Sequence, residues 1–411
     1  MLITNAYIEN STELTNIRIE NGFFTEIAAN LTPLAGEEVI DAGSKLVLPP
    51  FIEPHIHLDS CLTAGEPKWN ESGTLFEGIE TWALRKQSLT VEDIKERVNR
   101  VIRMQAANGI QFVRTHADTT DPNLTTVKAL LELREDFKDT VEIQVVAFPQ
   151  DGIFSSPNGK ELLEEAVKMG VDVVGAIPHY EFTREYAVES LRFAVDLAVK
   201  YDKLVDVHCD EIDDEQSRGL EVLAALALET GLKNKVTASH TTAMGSYNNA
   251  YVLKLMRLLK LSDINFVANP LVNIHLQGRA DTYPKRRGLT RVEELMDNHN
   301  TVAFGHDDVF DPWYPLGDGN MMEVVHMGLH VAQMMGYQQI MDSYKFITHN
   351  AARTLHIEDR YGIEVGKPAN LIILNETNWY NALNKRSEVL YSINRGNIIA
   401  STQPKMKEVF F

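Results

Sequence analysis

Eight short apolar segments recur along the middle of this chain, separated by stretches with helical spacing, and this alternation limits the possible folds more than any other feature. The segments are 46–57, 110–117, 141–148, 171–177, 203–208, 235–240, 264–269 and 301–306. They are rich in Val and Ile and apolar on both faces. Strands buried on both faces belong to parallel sheets covered by helices. Between them, residues 91–108 set Ile94, Val98, Val101 and Ile102 on one stripe and stop at Asn108-Gly109. Similar helices fit 159–169, 184–200, 217–230, 247–260 and 322–335. Strand–helix units in this succession predict an α/β fold, a (β/α)8 TIM barrel. A doubly wound open sheet has the same alternation, and strand count alone does not separate the two.

The two ends differ from the middle. Residues 1–45 (LITNAYI, IRIENGFF, EVIDA) and 366–411 (ANLIILN, VLYSINRGNIIAS) alternate in short segments divided by turn residues, which reads as antiparallel strands. They are expected to pair into a small β-sandwich domain beside a barrel spanning 46–365.

The chemistry sits at the C-terminal ends of the proposed strands. His55 and His57 close the first, and side chains two apart on an extended segment point to one face, so both imidazoles can reach one ion. His208-Cys209-Asp210-Glu211 closes the fifth, Ser239-His240 the sixth, and His306-Asp307-Asp308 the eighth. Any one of these is unremarkable as a polar strand end. Four in one register converge over the mouth of a barrel, where barrel enzymes do their chemistry. Imidazole and carboxylate suit a borderline divalent ion, Zn2+ or Fe2+, with one position left open for water. His55, His57, His208 and Asp307 form that ligand set, and such an ion lowers the pKa of its water toward neutrality. Glu211 and His240 are then free to move protons.

The net charge of −19 repels phosphate backbones and anionic lipid, which argues against nucleic acid and membrane surfaces as partners but leaves a neutral small molecule unaffected. Cys61 and Cys209 are the only cysteines, and the start lacks the basic and apolar regions of an export signal. No run of about 18 apolar residues appears. A reduced, cytoplasmic protein is expected.

These residues, with the segments PPFIEPHIHLD, SGTLFEGIE, VAFPQDGI, DVVGAIPHYEFTREY, DVHCDEIDDEQSR, INFVANPLVNIHLQGR and GHDDVFDPWYPLG, resemble the amidohydrolase superfamily and, within it, the bacterial cytosine deaminases. The resemblance covers roughly residues 46–360. It implies hydrolytic deamination of a small nucleobase, with cytosine favoured and isoguanine or creatinine as alternatives. It implies a proton shuttle through Glu211 to the ring nitrogen, and removal of the attacking water's proton by His240 and Asp307. Gln150 would read the ring's carbonyl and N–H edge, because an amide donates and accepts at once. Asp308 and Trp313 would line the far edge of the ring. A homo-oligomer is also implied. The fourth strand ends Gly175-Ala176-Ile177-Pro178-His179, without the bridging Lys of binuclear relatives, so one metal ion is expected. A non-catalytic scaffold of the same fold would be expected to have lost ligands, and this chain keeps them all. Because Glu211 must change protonation state, its pKa is expected to be raised by partial burial. The sequence assigns no role to His116, His179 or His306.

Overall fold

The computed structural model describes residues 1–411. At its centre eight parallel strands lie in sequential order: β1 (Phe51–Ile56), β2 (Ile110–Asp118), β3 (Glu142–Phe148), β4 (Val173–Ala176), β5 (Leu204–Cys209), β6 (Val236–His240), β7 (Asn265–Ala268) and β8 (Val302–Phe304). β8 returns beside β1, so the sheet closes as a barrel, and an open sheet with a reversal of strand order is excluded. Along this seam the Asp307 N–H donates to the His55 carbonyl (2.8 Å) and the His57 N–H to the Asp307 carbonyl (2.9 Å). One oxygen of the fully buried Glu53 carboxylate accepts from the N–H groups of both His55 (3.2 Å) and His306 (3.0 Å). The residues at the mouth therefore also close the barrel.

The expected first strand, 46–57, is in fact two. Strand Val39–Leu48 joins the terminal sheet and β1 starts at Phe51. Pro49-Pro50 lies between them, and proline, lacking an N–H, interrupts a ladder. The terminal segments pair with each other, hydrogen-bonded as one continuous sheet in the order 397–401, 389–394, 371–374, 39–48, 2–8, 14–20, 23–28. All neighbours in it are antiparallel except 2–8 with 39–48. Two of its hairpins turn at Asn21-Gly22 and Arg395-Gly396. All four residues have positive φ, as a two-residue turn matched to strand twist requires. Ile3, Ile17, Leu371, Ile373 and Ile393 form its apolar core.

Below the mouth the barrel interior holds a buried polar network. The Arg114 guanidinium donates to Asp206 (3.0 Å), Gln144 (2.7 Å), Thr237 (3.2 Å) and the Thr354 carbonyl (2.7 Å), with both charged side chains fully buried. Burial would raise the Asp206 pKa, but His116 and Arg114 outweigh it and hold the carboxylate below its ordinary value. Arg114→Met should strand that charge and destabilise the fold by about 3–5 kcal/mol. Chemical denaturation would measure this, and a loss under about 1 kcal/mol, the size typical of an exposed pair, would contradict it. No helix is long and apolar enough to cross a membrane.

Candidate active site

Two of the strand ends deliver their side chains to the mouth through a local departure from strand geometry. His240 (φ 66°) and Asp307 (φ 72°) adopt left-handed backbone, a conformation that non-glycine residues hold only when their surroundings enforce it. His55 and His57 lie at the end of β1, and His208 lies one residue before the end of β5.

The four expected ligands come together. The candidate ligand atoms of His55, His57, His208 and Asp307 all lie within 4.8 Å of one another, and all four residues are buried. His57 Nε2 faces His208 Nε2 at 3.0 Å, and Asp307 Oδ1 lies 3.3 Å from His55 Nε2 and 3.5 Å from His57 Nε2. Burial, together with the neighbouring imidazoles, holds all three His well below their ordinary pKa, in the neutral form that ligates metal.

Hydrogen bonding fixes which His55 nitrogen is free. The Ser239 hydroxyl donates its single proton to Asp206 (2.6 Å) and so must accept from His55 Nδ1 (3.1 Å). His55 Nε2 is therefore an unprotonated lone pair, buried, without a hydrogen-bond partner, and aimed at a carboxylate oxygen. A lone pair facing a carboxylate oxygen in a buried site calls for a proton or a cation between them. Burial raises the Asp307 carboxyl pKa to about 8, and the set of three neutral imidazoles and a carboxylate fits a divalent ion.

Beside this cluster His240 Nδ1 lies 3.2 Å from Glu211 Oε1 and 3.9 Å from Asp307 Oδ2. Burial would lower the His240 pKa, but the carboxylates of Glu211 and Asp307 overcome it and raise it to about 9. Glu211 is shifted the other way. Burial pushes it up, yet His240, His179 and the Asn273 amide outweigh burial and leave it below the ordinary carboxylate value. The expectation of a raised Glu211 pKa is thus corrected, because it weighed burial without the imidazole 3.2 Å away.

A cavity open to solvent lies above the cluster. Gln150, Asp308 and Trp313 all line it, together with Glu211 and His240. The Gln150 side-chain amide makes no hydrogen bond to the protein. Burial, then the neighbouring Asp311, raises Asp308 well above its ordinary pKa, which favours a neutral carboxyl able to donate. Trp313 both faces the cavity and anchors helix α1 (Leu75–Arg85), which covers the mouth. A Cβ on Gly78 would lie 2.5 Å from the indole, so only glycine permits this approach.

Several participants are not singled out by the sequence reading. Asn273 donates to Glu211 (3.0 Å) and lies 3.2 Å from His240 Nδ1, while Asn269 lies 3.3 Å from His240 Nε2. Their signal was the asparagine pair four apart at the start of helix Pro270–Leu276. Glu53, at the seam between β1 and β8, is another such residue. His179 lines the cavity, His116 stacks among the ligand imidazoles, and His306 Nδ1 lies 2.8 Å from the Asp308 carbonyl. Cys61 and Cys209 are buried free thiols in the barrel core.

A closed β/α barrel with three imidazoles and one carboxylate gathered at its C-terminal mouth defines a metal-hydrolase scaffold. Residues 38–400 match the amidohydrolase family, and the chain belongs to that family. It is similar to 5-methylcytosine deaminase from Klebsiella pneumoniae, solved with 5-fluorocytosine, at 50% identity and a TM-score of 0.97, covering 100% of this chain and 99% of the other. N-isopropylammelide isopropyl amidohydrolase of Pseudomonas sp. (strain ADP) is 31% identical, with 98% of each chain aligned. A pterin deaminase of Rhizobium rhizogenes is 25% identical over 96% of this chain and 90% of its own.

Proposed function

We propose that this protein hydrolytically deaminates a free cytosine-type base, cytosine or its 5-methyl derivative, to the corresponding uracil or thymine and ammonia. The observation that carries this reading is the cavity itself. An uncommitted Gln150 amide, a Glu211 carboxylate and a raised Asp308 carboxyl face one space above the metal cluster. A planar ring bearing C=O, N–H and an amidine edge can satisfy all three. The identity to a 5-methylcytosine deaminase over the whole chain supports it.

His55, His57, His208 and Asp307 would hold one divalent ion, Fe2+ or Zn2+, which supplies Lewis acidity that brings water ionisation toward neutral pH. Gln150 orients the ring by its carbonyl and N–H, and Trp313 closes the flank. Glu211, ionised at the outset, accepts one proton of the attacking water and passes it to the ring nitrogen beside the reacting carbon. The second proton passes through Asp307 Oδ2 to the amino group, which leaves as ammonia while the carbonyl forms. His240, its pKa raised to about 9 and so protonated, is not the acceptor of the water's proton that the resemblance implied; its Nδ1–H donates to Glu211 and its charge steadies Asp307. One water is consumed and both its protons are placed. Each general acid–base step contributes about 10²–10⁴-fold.

Ammonia release on cytosine, 5-methylcytosine, isoguanine and creatinine, with defined Fe2+ or Zn2+ loading, tests the reading. We expect kcat/KM for the cytosine-type bases to exceed that for the other two by at least about tenfold, the smallest discrimination a shaped pocket gives. No release from either cytosine-type base would overturn it.

A further inference from the structure

Lys86 lies just beyond α1, on the rim of the mouth, and takes no part in the chemistry above. Its ammonium donates to Asp151 (2.7 Å), Thr120 (3.0 Å) and Asp118 (3.2 Å), and its side chain is only 16% exposed. These partners belong to different elements. Asp118 ends β2, Thr120 follows it, and Asp151 directly follows Gln150 after β3. Three hydrogen bonds to two carboxylates and a hydroxyl use all the donors an ammonium has.

The loop after Gln150 is gripped from its other side as well. Glu181 accepts from the N–H groups of Ile153 (2.6 Å) and Ser155 (2.9 Å) and from the Ser155 hydroxyl (2.7 Å). Gln150 thus directly precedes a loop anchored twice, by an ion pair at Asp151 and a carboxylate cradle at residues 153–155. The ion pair is the one that reaches across to the cover, since α1 carries Leu75 and Ile79 onto the cavity wall. α1 itself packs on the barrel through a small apolar cluster of Trp82, Trp313, Val272 and Leu276, separate from the main core. Few apolar groups hold it, so a part-buried, multiply bonded ion pair at its end weighs heavily in its placement.

We propose that Lys86 is a positioning residue that latches the cover helix to the Asp151 loop and thereby sets Gln150 against the ring edge. This rests on the reading that Gln150 binds a nucleobase. Because the ring edge is held alike in ground and transition states, the loss should fall on KM and not on kcat.

The test is steady-state kinetics of metal-loaded Lys86→Met, Lys86→Arg, Asp151→Asn and the Lys86→Met/Asp151→Asn double variant, with metal content measured on each. We expect Lys86→Met to raise KM at least about tenfold with kcat changed by less than about threefold, the pattern of lost uniform binding. Asp151→Asn should behave alike, and the double variant should be no worse than the more affected single variant, as for partners in one interaction. Lys86→Arg, which keeps the charge, should recover most of the loss. If Lys86→Met does not fold, Asp151→Asn, on a partly exposed side chain, decides the matter. KM within about twofold of wild type in that variant, multiplicative losses in the double variant, or loss of bound metal would overturn the latch. A wild-type protein silent on both cytosine-type bases would instead overturn the nucleobase reading and take the latch with it.

Discussion

Glu211→Gln should keep its metal and lose about 10²–10⁴-fold in kcat, the share a general acid–base group typically supplies. The amide is close in shape to the carboxylate and its oxygen can still accept from Asn273, which donates at 3.0 Å in the native protein. What the variant lacks is a site that can take a proton and release it. It also removes the charge that, with Asp307, holds the His240 pKa at about 9, so His240 should titrate lower in the variant. Nuclear magnetic resonance of the imidazole and metal analysis of the same sample separate the two effects. Wild-type turnover by a fully loaded Glu211→Gln would sink the proton-shuttle assignment.

Removal of the divalent ion should abolish turnover and destabilise the fold, with both restored by added Fe2+ or Zn2+. His55 Nε2 and Asp307 Oδ1 face each other at 3.3 Å, and without a cation that contact needs a proton on Asp307, whose carboxyl pKa burial raises to about 8. An ion at a thousandfold over its dissociation constant stabilises the native state by about 4 kcal/mol. Thermal melts with and without chelator, read beside ammonia release, measure both consequences. A preparation proven free of metal that still turns over at the loaded rate would refute the metal-centred reading.

The barrel was legible because its strands are buried on both faces and so lack polar alternation, as at 203–208 and 264–269. The grouping of His55, His57, His208 and Asp307 was legible because His and Asp recur at equivalent strand ends. What stayed hidden followed other rules. Helix α1 buries Gly78, Thr81, Trp82 and Arg85, so its inward face carries no apolar stripe to read. Asn269 and Asn273 stand four apart, but the His240 they approach ends another strand, so their spacing alone does not name the contact. The direction of the Glu211 shift was missed for the same reason. Burial can be guessed from one segment, but the imidazole that overrides it comes from another strand.

The seam between β1 and β8 bears on how the protein is made. Glu53 and His306 meet across 253 positions of chain, and the ligand His55 precedes its partner Asp307 by nearly as many. A ribosome therefore releases the first two imidazoles long before the carboxylate that completes their set exists. Contacts so distant in sequence form late and slowly. The four-residue set is therefore complete only once the eighth strand has closed on the first.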